Sequence, residues 1–221
     1  MGWVFLLDFD GTTTPTDVGP FILAHFTGDR WLAPDQAWER GELTTPERAT
    51  RQWAMIDADE AAVGALVDRV ALDPHFPALV EACRRRDVPL GILSDGFDFY
   101  IQRMLANHGV GGVPVLANHA RWNGGRWRLE FPRPDPPGEP AGAWKAAVVR
   151  GFQAAGARVA YAGDGLSDRA AAEAADRRFA KAKLAEHCRR HGIPFRPFAS
   201  LADVHADFAG ALELPGMEEV R

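Results

Sequence analysis

The apolar run Val4-Phe5-Leu6-Leu7 ends in Asp8-Phe9-Asp10-Gly11-Thr12. It reads as a strand that stops at two carboxylates. Positions i and i+2 of a strand face the same side, so Asp8 and Asp10 project together. Two anions held that close repel unless a cation or a shared proton relieves them. The pair therefore points to a bound metal or to acid–base chemistry. Gly11 lets the backbone turn sharply, and Thr12-Thr13-Thr14 offers hydroxyls and amides to an anion. The same residues could form only a strand end and a turn, for which Asp and Gly are locally suited. The rest of the chain argues against that.

A length of 221 residues allows one α/β domain with an insertion, or two small domains. The net charge of −5 speaks against a nucleic-acid surface, where positive charge concentrates. Arginine outnumbers lysine 22 to 3, but the arginines are scattered among acids, and the one dense run, Arg84-Arg85-Arg86, suits a solvated helix end. No stretch approaches the ~20 apolar residues of a membrane span. The first strand begins within three residues of Met1, which leaves no room for a signal peptide. Cys83 and Cys188 need no bridge, so a cytoplasmic setting is expected. Oligomeric state is not legible, and a homodimer stays open.

Residues 14–75 read as helices only: Asp17–Thr27, Ala33–Arg40, Pro46–Met55 and Asp59–Val70, the last with Ala62, Val63, Leu66, Val67 and Val70 on one face. From about Pro74 the pattern changes to strand–helix alternation. A helix over Phe76–Arg86 precedes a strand over Val88–Leu93, which ends in Ser94-Asp95-Gly96. A helix over Phe97–Asn107 follows, with Ser94 and Asp95 suited to cap it. Next come a strand over Val113–Leu116 and a hairpin about Asn123-Gly124-Gly125. The segment 132–140, with five prolines, is expected as a surface loop. A helix around Lys145 leads to a strand over Arg158–Ala162 that ends in Gly163-Asp164-Gly165. A strand near Phe179, a helix to Arg190 and a helix after Ser200 complete the chain. Such alternation predicts a parallel sheet with right-handed crossovers, whose ligands bind at the carboxyl ends of the strands. Three strands end in polar clusters, Asp8/Asp10, Ser94/Asp95 and Asp164/Asp168, and the topology would gather them into one site.

These motifs resemble, in order, the four of the haloacid-dehalogenase-type phosphatases: Asp8-Phe9-Asp10-Gly11-Thr12, Ser94, Lys145, and Gly163-Asp164-Gly165-Leu166-Ser167-Asp168. The resemblance implies an α/β fold, a Rossmann-like parallel sheet flanked by helices. It also implies a small helical cap (residues 14–75) inserted after the first strand of a core formed by 1–13 and 76–221. Asp8 would be the nucleophile, ionised at neutral pH and able to form an aspartyl-phosphate. Asp10 would be the general acid and then the general base. Carboxylates alone would repel a phosphate dianion. The resemblance therefore implies Mg²⁺, a hard cation that prefers oxygen, on the Asp8 carboxylate, the Asp10 carbonyl and Asp164. Asp168 would hold a ligand water or lie behind the metal ligands. Lys145 would add positive charge, and Ser94 with the amides after it would hold phosphate oxygens, placing Asp95 and Gly96 at the substrate. Asp168 could instead be an ordinary first-turn helix residue, and Lys145 an ordinary surface lysine.

A narrower resemblance covers Ser94-Asp95-Gly96-Phe97-Asp98-Phe99-Tyr100-Ile101, Ala117-Asn118-His119-Ala120 and Phe179-Ala180-Lys181-Ala182-Lys183-Leu184 with Cys188. These are similar to the 2-hydroxy-3-keto-5-methylthiopentenyl-1-phosphate phosphatases of methionine salvage, cousins of phosphoserine phosphatase. Members often carry Gly where Asp95 stands. Asp17 lies seven positions after Asp10, the spacing of the acidic residue that binds the amino group in phosphoserine phosphatases; it also suits a helix N-cap. The aromatic residues Phe21, Phe26, Trp31, Trp38 and Trp53 would suit a thioether tail if they face the cleft. The expected substrate is thus a small phosphorylated metabolite, the methylthio enol-phosphate first. Phosphoserine and phosphocholine or phosphoethanolamine are alternatives. A phospho-aspartate receiver lacks the paired Asp-x-Asp-Gly-Thr and the cap, an inactive binding module would not need every motif residue, and a dehalogenase needs neither Asp10 nor Mg²⁺.

Overall fold

The computed structural model describes residues 2–213, and side chains as far as Phe208. The chain opens with β1 (Trp3–Leu7) and then runs through helices only: α1 (Val18–Thr27), a 3-10 turn (Gly28–Trp31), α2 (Leu32–Glu39), α3 (Thr45–Trp53), α4 (Glu60–Val67) and α5 (Phe76–Arg85). β2 (Leu90–Phe97), α6 (Asp98–Asn107), the hairpin β3 (Val115–Trp122) and β4 (Trp127–Glu130), α7 (Ala143–Ala154) and β5 (Arg158–Gly163) follow. A 3-10 turn (Leu166–Asp168), α8 (Arg169–Ala174), β6 (Arg177–Ala180), α9 (Ala182–His191), β7 (Arg196–Pro197) and α10 (Leu201–Glu213) end the described chain.

The seven strands form one sheet in the order β4-β3-β2-β1-β5-β6-β7. Every pairing is parallel except the β3–β4 hairpin. The expected α/β fold is therefore present. β1 sits at the centre, between β2 and β5. Its alternation explains the two cores: Phe5 and Leu7 join the apolar cluster on one face, and Val4 and Leu6 that on the other. A central parallel strand buried on both faces needs such a continuous apolar run.

Local chemistry sets the helix starts. Thr44 and Glu47 form a reciprocal capping box at α3, and the Asp59 side chain accepts from the Ala62 amide at α4. Asp73 closes the helical segment back onto β1. Its amide donates to the Thr13 carbonyl (2.9 Å), and its carboxylate accepts from Leu201 N–H at 2.9 Å.

The structure corrects several expectations. β2 runs on through Ser94-Asp95-Gly96, so α6 starts at Asp98, and neither Ser94 nor Asp95 caps it. The cause is the Asn118 side chain, which donates to the Asp95 carbonyl (2.8 Å) while Phe97 pairs with Asn118 across a register shift. β3 is longer than expected because its second half pairs with β4 instead of β2. α4 stops at Val67, Ala62 is exposed, and Val63, Leu66, Val67 and Val70 are the buried face. The 3-10 turns, α8 and β7 are too short to show periodicity in sequence.

Phe5 stacks on Phe208 (4.7 Å between ring centroids) and meets Phe179 edge-on at 5.9 Å. Phe5→Ala is expected to destabilise the protein by about 3–5 kcal/mol, the cost of a large buried cavity. Urea unfolding of the two proteins measures it.

Candidate active site

β1, β2 and β5 are adjacent, and their carboxyl ends bring Asp8, Ser94 with Asp95, and Asp164 together. The turn after β5 then carries Asp168 under them. Lys145, on α7, enters from the side and is fully buried. Its Nζ lies 2.7 Å from Asp8 Oδ1, 2.9 Å from Asp168 Oδ1 and 3.8 Å from Asp95 Oδ2. Burial disfavours the ammonium, but Asp168 and Asp8 outweigh that and hold its pKa well above the usual value. Lys145 is thus a buried cation and not a surface lysine.

The carboxylates outnumber the cation. Burial, then the Asp168 charge, pushes the Asp8 carboxyl well above the usual carboxylate range despite Lys145. The same two causes raise Asp164 to about 6, opposed by the Thr12 hydroxyl, which donates to Asp164 Oδ1 at 2.9 Å. Asp8, Asp164 and Asp168 can each offer one oxygen, all within 4.8 Å of one another. An all-oxygen donor set with surplus negative charge fits a hard divalent cation such as Mg²⁺. Asp168 is already engaged: Oδ1 accepts from Lys145 and from Tyr161 Oη (2.6 Å), and Oδ2 from the Asp164 and Gly165 amides at 3.1 and 3.0 Å. Asp168 braces Lys145 and the Asp164 turn, so it suits the supporting position better than direct ligation. It precedes α8 as its N-cap without a capping bond from its side chain.

Asp10 is anchored on both oxygens. Oδ1 accepts from the Val18 and Gly19 amides (2.9 and 3.2 Å) at the start of α1, and Oδ2 from Tyr100 Oη at 2.7 Å. Its carboxyl is raised by burial, and Tyr100 and the two amides oppose the rise. Asp10 therefore caps α1; Asp17, at the N-cap position, makes no capping bond. Ser94 Oγ accepts from the Gly96 amide (2.9 Å) and lies 3.4 Å from Asp10 Oδ2. Gly11 turns with φ +77°, and a Cβ there would stand 2.5 Å from Asp164 Oδ2, so this turn requires glycine. Asp95, at the position where an extra carboxylate stands out, is held by Trp144 Nε1 at 2.8 Å.

The site opens into a cleft of about 530 Å³. Trp31, Trp38, Trp53 and Arg48 from the helical segment line it, as does Asp17, while Phe21 and Phe26 pack on the core instead. Asp17 is open to water, yet the cleft walls desolvate it and Asp10 adds like charge, which pushes its carboxyl up to about 7. Sequence reasoning missed Tyr100, Tyr161, Trp144 and Thr12 as partners of the carboxylates.

Residues 5–173 match the haloacid dehalogenase-like hydrolase family. The chain belongs to this family. The 2-hydroxy-3-keto-5-methylthiopentenyl-1-phosphate phosphatase of Brevibacillus brevis is 25% identical over 205 residues, covering 91% of this chain and 92% of its own length. Pdp3-interacting factor 1 of Schizosaccharomyces pombe is also 25% identical, over 215 residues, 90% of this chain and 92% of that protein. Among solved structures, a phospho-aspartyl intermediate analogue of phosphoserine phosphatase superposes with a TM-score of 0.73 at 15% identity, covering 94% and 98% of the two chains. Phosphoserine phosphatase from T. onnurineus gives 0.69 at 20% identity, covering 95% and 94%. These structures share the fold. The enzyme is a phosphatase of this family.

Removing the buried cation leaves Asp8 and Asp168 facing each other. Lys145→Met is expected to cost about 3–5 kcal/mol at pH 7.5, the usual penalty for an orphaned buried charge. Adding Asp8→Asn to it should return part of the loss, and a double-mutant cycle by urea unfolding measures that coupling.

Proposed function

We propose that the protein is a Mg²⁺-dependent phosphomonoester hydrolase that works through phospho-Asp8, with 2-hydroxy-3-keto-5-methylthiopentenyl-1-phosphate as its substrate. The observation that carries the chemistry is Lys145 Nζ between Asp8 and Asp168 at the floor of the cleft. The B. brevis relative of that name supports the substrate. So do the cleft-facing Trp31, Trp38 and Trp53, whose rings suit a thioether.

Asp8 and Asp164, with the Asp10 carbonyl, would hold Mg²⁺, and Asp168 would fix Lys145 and the Asp164 turn behind them. Bound Mg²⁺ would supply the positive charge that keeps Asp8 and Asp164 ionised and offsets the phosphate dianion. An Asp8 oxygen attacks phosphorus, and Lys145 steadies the charge shared between them. Asp10 gives its proton to the departing oxygen and then takes one from the water that hydrolyses phospho-Asp8. Ser94 and the amides of Asp95 and Gly96 hold phosphate oxygens. We assign residues 14–75 as a cap over a core of 1–13 and 76–221. The cleft is lined from both parts, so closing it excludes water.

A second reading, phosphoserine phosphatase, is favoured by Asp17 and Arg48, an acid and a base in the same cleft that suit an amino acid.

Hydrolysis should stop in excess EDTA and return with Mg²⁺. Phosphate label from quenched turnover should sit on Asp8, and Asp8→Asn should lose essentially all turnover. Full activity in EDTA, or label on another residue, refutes the mechanism.

Substrate choice is tested separately by kcat/KM. The methylthio enol-phosphate should exceed phosphoserine, and the reverse order favours the second reading.

A further inference from the structure

Asp10 has two unlike oxygens. Oδ1 faces two backbone amides, Val18 and Gly19, which can only donate. A proton on Oδ1 would collide with those N–H groups, so Oδ2 is the oxygen that can carry one. The partners of Oδ2 are both hydroxyls, Tyr100 Oη at 2.7 Å and Ser94 Oγ at 3.4 Å. Ser94 lies on β2, among the residues proposed to hold phosphate. Tyr100 does not: it is buried on α6, with its ring packed 6.2 Å from that of Phe9.

The Tyr100 hydroxyl has a single proton, and it goes to Asp10 Oδ2. Phe97 is the last residue of β2 and leads directly into α6, so Tyr100 follows three residues after the strand that carries Ser94 and Asp95. The packing around it is close. A Cβ on Gly96 would stand 1.8 Å from Tyr100 Oη and 2.6 Å from Asp10 Oδ2, so glycine is required there. A phenol is protonated at neutral pH, so the hydroxyl is a donor to the carboxyl.

We propose that Tyr100 is a positioning residue for the acid step: its hydroxyl fixes Asp10 so that the Oδ2 proton points at the departing oxygen. The proposal rests on Asp10 being the general acid. In the first step the Asp8 oxygen–phosphorus bond forms and the ester P–O bond breaks. The bonding pair goes to the leaving oxygen, which takes the Asp10 Oδ2 proton and departs as the alcohol. In the second step water oxygen bonds to phosphorus as the Asp8 bond breaks, and Asp10 Oδ2 recovers a proton from that water. Tyr100 keeps its own proton throughout and donates to the second lone pair of Oδ2.

A group that only aims the acid matters when the leaving group needs a proton. Tyr100→Phe, with the holoenzyme in Mg²⁺, should lower kcat on glycerol 2-phosphate at least about tenfold with KM little changed, but leave p-nitrophenyl phosphate within about threefold. Equal losses of Tyr100→Phe on both esters, or none on either, overturn the proposal. Asp10→Asn in the same assay separates the premise: if it too harms both esters equally, the assignment of Asp10 as the acid has failed, independently of Tyr100. Melting temperatures of all variants show that each is folded.

Discussion

One buried ammonium organises the site. Lys145 reaches the carboxyl ends of three strands from α7, with Asp8, Asp168 and Asp95 around it at 2.7, 2.9 and 3.8 Å. Without it, Asp8 and Asp168 would lose the cation in direct contact with both, and burial would favour their taking up protons. With it the group is still short of positive charge, and Asp8 and Asp164 remain raised. That deficit is what suits the site to a divalent cation and a phosphate together, each balancing part of the other.

The bracing around Lys145 is as important as the lysine. Asp168 spends both oxygens on protein donors, one of them Tyr161 on β5, so it acts as a fixed strut under the cleft. Four donors satisfy the lone pairs of this buried carboxylate, so none of its oxygens is left unpaired. Trp144, next to Lys145 on α7, holds Asp95 in the same way.

The cleft's other wall is tied to the sheet edge by aromatic packing. Trp53 on α3 meets Trp127 on β4 at 5.0 Å and Phe97 at 4.7 Å, and Trp127 Nε1 donates to the Ala58 carbonyl at 3.0 Å. The helix that carries Arg48, Gln52 and Trp53 into the cleft is thereby set against β2, the strand that carries Ser94 and Asp95. Edge-on aromatic pairs of this kind add directional preference to simple area burial.

The residue pattern by itself determined the parallel sheet and the acidic residues that follow β1 and β5, but not the end of β2. Strand and helix periodicities are local, and a parallel sheet places every strand's carboxyl end on one side. Asp8 and Asp164 were legible for that reason, as was the helix-only stretch before Phe76; Lys145, on a helix, was singled out by the family resemblance. Tertiary structure alone decided the partners. Tyr100 bonds Asp10 across 90 positions, Trp144 bonds Asp95 across 49, and Lys145 bonds Asp168 across 23. It also decided that Asp10, and not Asp17, caps α1, and that Trp31, Trp38 and Trp53 line the cleft whereas Phe21 and Phe26 do not. Such choices depend on which side chains meet when separate elements pack, and no local period encodes that meeting.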